Sequence, residues 1–312
     1  MSTEMIDPTM HPEARPAPVE TTKVAAKRLS KWTLYSRRFA RNKGAVAGLV
    51  IFVALVLFAV IGPLVARYDH IELDFLALSM GPSPEHWFGT NNAGNDLFAQ
   101  VAVGLQRSLM IAITVSIGVT IVSALVGTAA AYFGGWTERI TLLVIHFMMV
   151  IPSFLILAMI SNKSGGDWRV IALIMIFVIG WYFPARVIWT LALSLREREY
   201  VSAARYMGVR GMRIVVRHLL PNIGSLLVIN FTLGVVNAVV TETGLSFLGF
   251  GVKIPDVSLG ALIGAGSSSL TTAPWLFYFP AAALTLLTVS MALVADGLRD
   301  ALDPTSAAGG RA

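Results

Sequence analysis

The chain has 312 residues, 55% of them hydrophobic and 13% charged, with a formal net charge of +6 and no cysteine. An ordinary soluble domain carries roughly a quarter charged residues, whereas here the charges stand apart from several apolar runs of about 20 residues, the length a helix needs to cross hydrocarbon. These figures exclude an ordinary soluble domain, disulfides, thiolate catalysis and cysteine metal sites. Because the apolar runs are continuous rather than alternating, they also exclude a strand barrel. The fold class expected is an all-α polytopic membrane protein, and its positive charge reads as topology rather than nucleic-acid binding, since Lys and Arg cluster beside the apolar runs.

In chain order, residues 1–43 form a tail. Met1 to Thr22 is rich in Pro, Glu and Thr without apolar periodicity, which predicts disorder, and it lacks the apolar core of a cleaved signal peptide. Lys23 to Lys43 is basic, with Leu29, Trp32, Tyr35 and Phe39 three or four apart. That spacing predicts an interfacial helix on an anionic leaflet, the alternative being a plain basic anchor. Gly44 to Ala66 is the first span. Residues 67–104 form an external segment: Tyr68 to Leu105 carries Asp69, Glu72, Asp74, Glu85 and Asp96 but no Lys or Arg. Trp87 and Phe88 are its candidate interfacial anchors.

From His86 this segment reads HWFGTNNAGNDLFAQVAVGLQRSL. The run resembles the entry to the core of the dipeptide and oligopeptide permease group, where the text is close to FGTDxxGRDLFSRVxxGxRxSL. Asn91 and Asn95 stand where Asp and Arg are usual. Residues 105–302 are the expected permease core, with further spans at Arg107 to Phe133, Ile140 to Ile160, Val170 to Leu193, Ile223 to Leu248 and Phe279 to Leu298. That makes six spans in all. Gly134-Gly135-Trp136 is a short turn, Asn162 to Arg169 a polar connection, and Gly249 to Tyr278 a Gly-, Ser- and Pro-rich external loop able to dip into the membrane where protein or water covers it. Pro152 and Pro184 predict helix kinks. The pairs Gly44/Gly48 and Gly260/Gly264 suit close helix packing.

Between the fourth and fifth spans lies a basic island at residues 196–222, LREREYVSAARYMGVRGMRIVVRHLLPN from Leu195. Arg196 to Met207 lacks Gly and Pro, and Ala203-Ala204 favours helix. Gly208 suits a left-handed end. Met212, Val215, Val216 and Leu219 recur at helical spacing, and Pro221 would close that second helix. The island resembles the cytoplasmic EAA loop of membrane subunits of ATP-binding-cassette importers, with Ser202 in place of the glutamate that gives the loop its name. The resemblance implies that Ala203, Ala204, Tyr206, Met207, Gly208, Val209, Leu220 and Pro221 couple the spans to an ATPase. The bland alternative is a solvated basic loop.

Eighteen of the 24 Lys and Arg fall in the 1–43 tail, the second–third turn, the island and the C-terminal stretch Arg299 to Ala312, which includes the tail at 303–312; five (Arg67, Arg107, Lys163, Arg169 and Lys253) fall in the external segments or at their edge. The bias puts both termini and the island in the cytoplasm. No GxxxxGK[ST], HExxH or GxSxG is present, so the chain has no visible home for ATP hydrolysis or hydrolytic chemistry. Ionisable residues within spans are candidates for function. Glu242, in NAVVTETGLSFLGFG, either faces the pathway and meets a peptide's ammonium group or is a buried carboxylate satisfied by Thr241, Thr243 or a neighbouring helix. Arg186, in WYFPARVIW, lines the pathway or ties to such a carboxylate. His146, where relatives commonly have Asp, reads as a satisfied core residue.

ADGLRDALDP at Ala295 to Pro304 and APWLFYFP at Ala273 to Pro280 resemble the closing signatures of the same group, and the basic anchor with its first span fits the C-type subunit. The resemblance implies a type I, binding-protein-dependent importer permease of the bacterial cytoplasmic membrane. It also implies a homologous second permease, two ATPase subunits that bind ATP and Mg, and an extracytoplasmic receptor. No cofactor or metal is expected in this chain, and no enzymatic activity. Dipeptides and oligopeptides are the expected cargo; nickel or another small solute is the nearest alternative. An ion-coupled secondary transporter would show internal repeats, which are not evident, and would have no use for the island.

Overall fold

The structure is a computed structural model and describes residues 31–302 apart from 164 and 254. The expectations for residues 1–30 and for the tail at 303–312 therefore lie outside the described residues. Among the described residues the chain is helical, with one isolated bridge between Thr90 and Asp96. In order the helices are α1 (Lys31–Arg41), α2 (Lys43–Val65), α3 (Leu97–Phe133), α4 (Gly135–Val150), α5 (Ser153–Lys163) and α6 (Trp168–Ile174), which continues as a π turn over Met175–Gly180. Then follow α7 (Tyr182–Arg196), α8 (Glu199–Tyr206) and α9 (Gly211–Ile214), continued through a π turn (Val215–Leu219) into α10 (Leu220–Asn222). The last three are α11 (Gly224–Phe247), α12 (Leu259–Ser267) and α13 (Trp275–Leu302).

Four helices are long and apolar enough to cross a membrane, α2, α3, α11 and α13, and the pairs α4–α5 and α6–α7 bring the number to six if each bent pair is one span. The pairs bend by 76° and 45°, where proline breaks the ladder. Pro152 follows the junction at Ile151. Pro184 has no N–H for the Gly180 carbonyl four residues back, and the break at Trp181 lies between them.

At 37 residues, α3 is about 55 Å long at 1.5 Å per residue, well beyond the roughly 30 Å of hydrocarbon. It starts at Leu97 rather than Arg107 because Asp96 caps it, its side chain accepting from Ala99 N at 2.9 Å. Asn42 caps α2 in the same way, accepting from Ala45 N at 3.1 Å. The core lies between α2, α3, α11, α12 and α13, around fully buried Leu105, Ile111, Leu259 and Leu287.

Glycine sets the closest approaches. A Cβ on Gly48 would stand 2.7 Å from the Ser290 carbonyl oxygen of α13, and one on Gly260 would stand 2.6 Å from Thr243 Cα of α11. The loop expected between the fifth and sixth spans thus contains a helix, α12, held against α11 by Gly260 and Gly264. Ser258 caps it, accepting from Ala261 N at 3.2 Å. Phe39 of α1 lies by Gly297 of α13, where a Cβ would be 3.1 Å from its ring, so α1 packs on protein as well as offering a basic face.

Candidate functional site

The island folds as helix, glycine turn, helix. α8 ends in two hydrogen bonds characteristic of a left-handed cap: Gly208 N donates to Arg205 O at 3.0 Å and Val209 N to Ala204 O at 3.2 Å. Gly208 has φ +74°. Ala204 and Val201 face inward and join Ile214, Val215, Leu219 and Tyr132 in a small apolar cluster, while Ala203 faces out. Tyr206 and Met207 are 90% and 76% exposed, so the turn presents an apolar knob to its surroundings.

The turn is braced against the end of α3. The Arg205 guanidinium lies 5.3 Å from the Tyr132 ring centre, Gly211 packs where a Cβ would meet Tyr132 and Phe133 at 2.9 Å, and Arg196 Nη1 donates to Ala131 O at 2.9 Å. Two expectations for the second helix need correction. Met212 and Val216 are exposed; the buried stripe is Ile214, Val215 and Leu219. Pro221 does not end the helix at Leu220. The π turn shifts the register so that Leu220 N donates to Val215 O, and the chain stays helical to Asn222, turning at Ile223 with φ −101° and ψ 7°.

Glu242 is fully buried. Ser246 Oγ donates to its Oε1 at 2.6 Å and Ser108 Oγ to its Oε2 at 3.4 Å. Ser108 Oγ accepts from Leu259 N at 3.2 Å, and Ser258 Oγ donates to Ser246 Oγ at 3.3 Å. The carboxylate therefore sits in a serine knot joining α3, α11 and the start of α12. Its partners are these serines rather than Thr241, which bonds Asn237 O, or Thr243, whose buried hydroxyl is unpartnered among the described residues. Just outside the knot, Arg107 pairs with Asp256 and lies 5.3 Å from the Trp168 ring centre.

A separate cavity of about 230 Å³ opens between α3, the α6–α7 bend and α11. Thr120 and Ser123 line it from α3, Phe183, Pro184 and Val187 from α7, and Asn230, Asn237 and Thr241 from α11; no charged residue is among its lining. Neither Glu242 nor Arg186 contributes to this wall. Arg186 is exposed on α7 between the lining residues Pro184 and Val187, its Nη1 3.9 Å from Met149 Sδ. Among the described residues no carboxylate lies within ion-pair distance of it. His146 is exposed on α4, not a satisfied core residue; its neighbour Ile145 takes the buried position. The cavity's asparagines were not singled out by sequence reasoning, because an amide in an apolar run carries no motif; their seven-residue spacing on one helix face was the only available sign.

The segment between α2 and α3 is a compact cap over the start of α3. His86, 1% exposed, stacks on Tyr68 with ring centres 4.5 Å apart and shares 2.9 Å with Asp96 Oδ2. Phe88 stacks on Phe279 at 4.1 Å, so of the two expected anchors only Trp87 is exposed. Where the family text has Asp and Arg, Asn91 Nδ2 donates to Asn95 Oδ1 at 3.0 Å. The bond joins two neutral side chains.

Comparison with known proteins accords with these features. Residues 122–307 match the family model for the binding-protein-dependent transport system inner membrane component, and residues 30–82 match that for the N-terminal TM domain of oligopeptide transport permease C. The chain is 44% identical over 278 residues to the oligopeptide transport system permease protein OppC of Mycobacterium tuberculosis, covering 89% of this chain and 96% of that one. It is 34% identical over 287 residues to OppC of Bacillus subtilis (91% and 93% covered) and 32% identical over 304 residues to the dipeptide transport system permease protein DppC of Alkalihalophilus pseudofirmus (97% and 99% covered). With the core and the N-terminal span both matched and the bent-helix membrane fold in place, the chain belongs to the family of binding-protein-dependent transport system inner membrane components.

Proposed function

We propose that this chain is one of two permease subunits of an ATP-driven importer for dipeptides and oligopeptides in the bacterial cytoplasmic membrane. In this reading both termini and the island are cytoplasmic. A homologous permease supplies the other half of the pathway, two ATPase subunits bind ATP and Mg and dock on the island, and an extracytoplasmic receptor delivers cargo. The chain itself holds no cofactor and performs no chemistry. ATP binding on the partners shifts the spans between inward-open and outward-open populations.

The observation that carries the reading is the glycine-capped turn of α8, with exposed Tyr206 and Met207, braced to α3 through Tyr132. A stiff, protruding apolar knob suits a groove on another protein, and its bracing passes displacement to a spanning helix instead of absorbing it. Ala203, Ala204, Val209, Leu220 and Pro221 shape that element and are assigned the coupling role with Tyr206, Met207 and Gly208. Arg186 is assigned to the rim of the pathway and Glu242 to holding α12 in place. The cargo class rests on the names of the relatives.

Vesicles containing the assembled complex test the reading. Labelled peptide should enter only with receptor, ATP and the ATPase subunits present, and a proton or sodium gradient alone should drive none. Gradient-driven uptake without nucleotide would refute it.

A further inference from the structure

We infer that the cavity between α3, the α6–α7 bend and α11 is a subsite that holds the main chain of an extended peptide through the side-chain amides of Asn230 and Asn237, leaving the peptide's side chains and charged ends unread. The inference rests on the peptide-importer reading and names how that importer would treat its cargo. Asn230 Nδ2 is buried without an acceptor among the described residues, and a buried donor left unmet costs about 1–3 kcal/mol. A lining group kept in that state suits an acceptor that comes and goes. Asn237, one heptad on, is exposed on the same wall, and its side-chain amide has no hydrogen bond among the described residues.

Seven residues of α-helix separate the two amides by about 10 Å, and about three residues of extended chain cover the same length. A donor and an acceptor at that interval match a carbonyl and an N–H of one peptide strand. The rest of the wall is apolar or hydroxyl-bearing, and most of its hydroxyls are already committed: Ser116 to Phe231 O at 2.5 Å, Ser123 to Val119 O at 2.5 Å and Thr241 to Asn237 O at 2.7 Å. With no charge on the wall, neither a peptide's ammonium nor its carboxylate is favoured there. The charged groups of this region are held elsewhere, Glu242 in its serine knot and Arg186 outside the wall. Such a surface passes many sequences at similar rates, because it reads only what all peptides share.

The test uses the assembled complex in vesicles with receptor saturated by labelled trialanine. N230L should slow ATP-driven uptake about tenfold, the worth of roughly one hydrogen bond. Trialanine methylated on its central amide nitrogen should enter the wild type about tenfold more slowly, and N237L should show no added loss with the methylated peptide. Replacing the central residue by lysine or glutamate should change the wild-type rate less than about twofold. N230D should break that indifference in favour of the lysine peptide, a change that a merely structural role would not produce.

Wild-type rates in N230L, or equal uptake of methylated and unmethylated trialanine, would overturn the inference while leaving the importer reading intact. Should a variant fail to assemble, the methylated peptide on the wild type decides alone. If wild-type vesicles carry no peptide with ATP, the importer reading fails first and this subsite with it.

Discussion

Gly208 sits at φ +74° with nothing within 4 Å of where a Cβ would stand. Any penalty of substitution there is conformational rather than steric: an L-residue in the left-handed region costs about 1–2 kcal/mol, more when β-branched. G208V should therefore insert and assemble normally but break the hydrogen bonds that end α8, so that receptor-stimulated ATP hydrolysis no longer yields uptake. G208N, which tolerates this conformation, should retain most of it. Side-by-side assays of hydrolysis and uptake check both; normal uptake by G208V would remove the turn from the coupling path. The turn was legible in the sequence because only glycine commonly accepts that geometry. The facing of the following helix was not. Apolar residues stand on more than one side of this short helix, so Met212 and Val216 satisfied the periodicity as well as Ile214 and Leu219 did. Only packing against Tyr132 separates them. His146 misleads for a related reason: a polar residue in an apolar run signals burial only if the run faces protein, and that face of α4 does not within this chain.

At the scale of elements, the spans could be read from length and hydropathy, whereas the bends and α12 could not. Pro152 and Pro184 announce a break but not its angle, which depends on what each half packs against. α12 hid inside a Gly- and Ser-rich stretch because its contacts require small residues. Gly260 and Gly264 let it lie on the backbone of α11, and Ser258, which resembles loop chemistry, is its cap. G260A tests this directly, since the added methyl would meet Thr243 Cα and Ser246 Cβ at 2.6 and 2.9 Å. Overpacking of this kind costs about 1–3 kcal/mol, so the purified complex should unfold several degrees lower in a thermal scan. G224A, with nothing within 4 Å of its Cβ, should leave the midpoint unchanged. An unchanged midpoint for G260A would mean that α12 is not held where its glycines suggest.

For the molecule as a whole, the proposed orientation rests on the distribution of basic residues and can be measured without removing any native thiol, because the chain has no cysteine. A single cysteine at Tyr206 should be labelled by a membrane-impermeant maleimide only after the cytoplasmic face is opened. One at Leu76, 99% exposed between α2 and α3, should be labelled in intact cells. The reverse pattern would invert the topology and dissociate the island from any cytosolic ATPase.

α3 joins these scales. Its first turn is capped by Asp96 and its last turn carries Tyr132 against the knob, so in the proposed topology one unbroken rod has an end in each compartment. In the proposed importer such a rod works in both directions. Whatever factor nucleotide binding applies to the affinity of the outer face for its receptor, receptor binding must apply to the affinity for nucleotide. Cargo arriving outside would then be sensed inside without any diffusible messenger, as a change in how tightly the cytosolic subunits hold ATP.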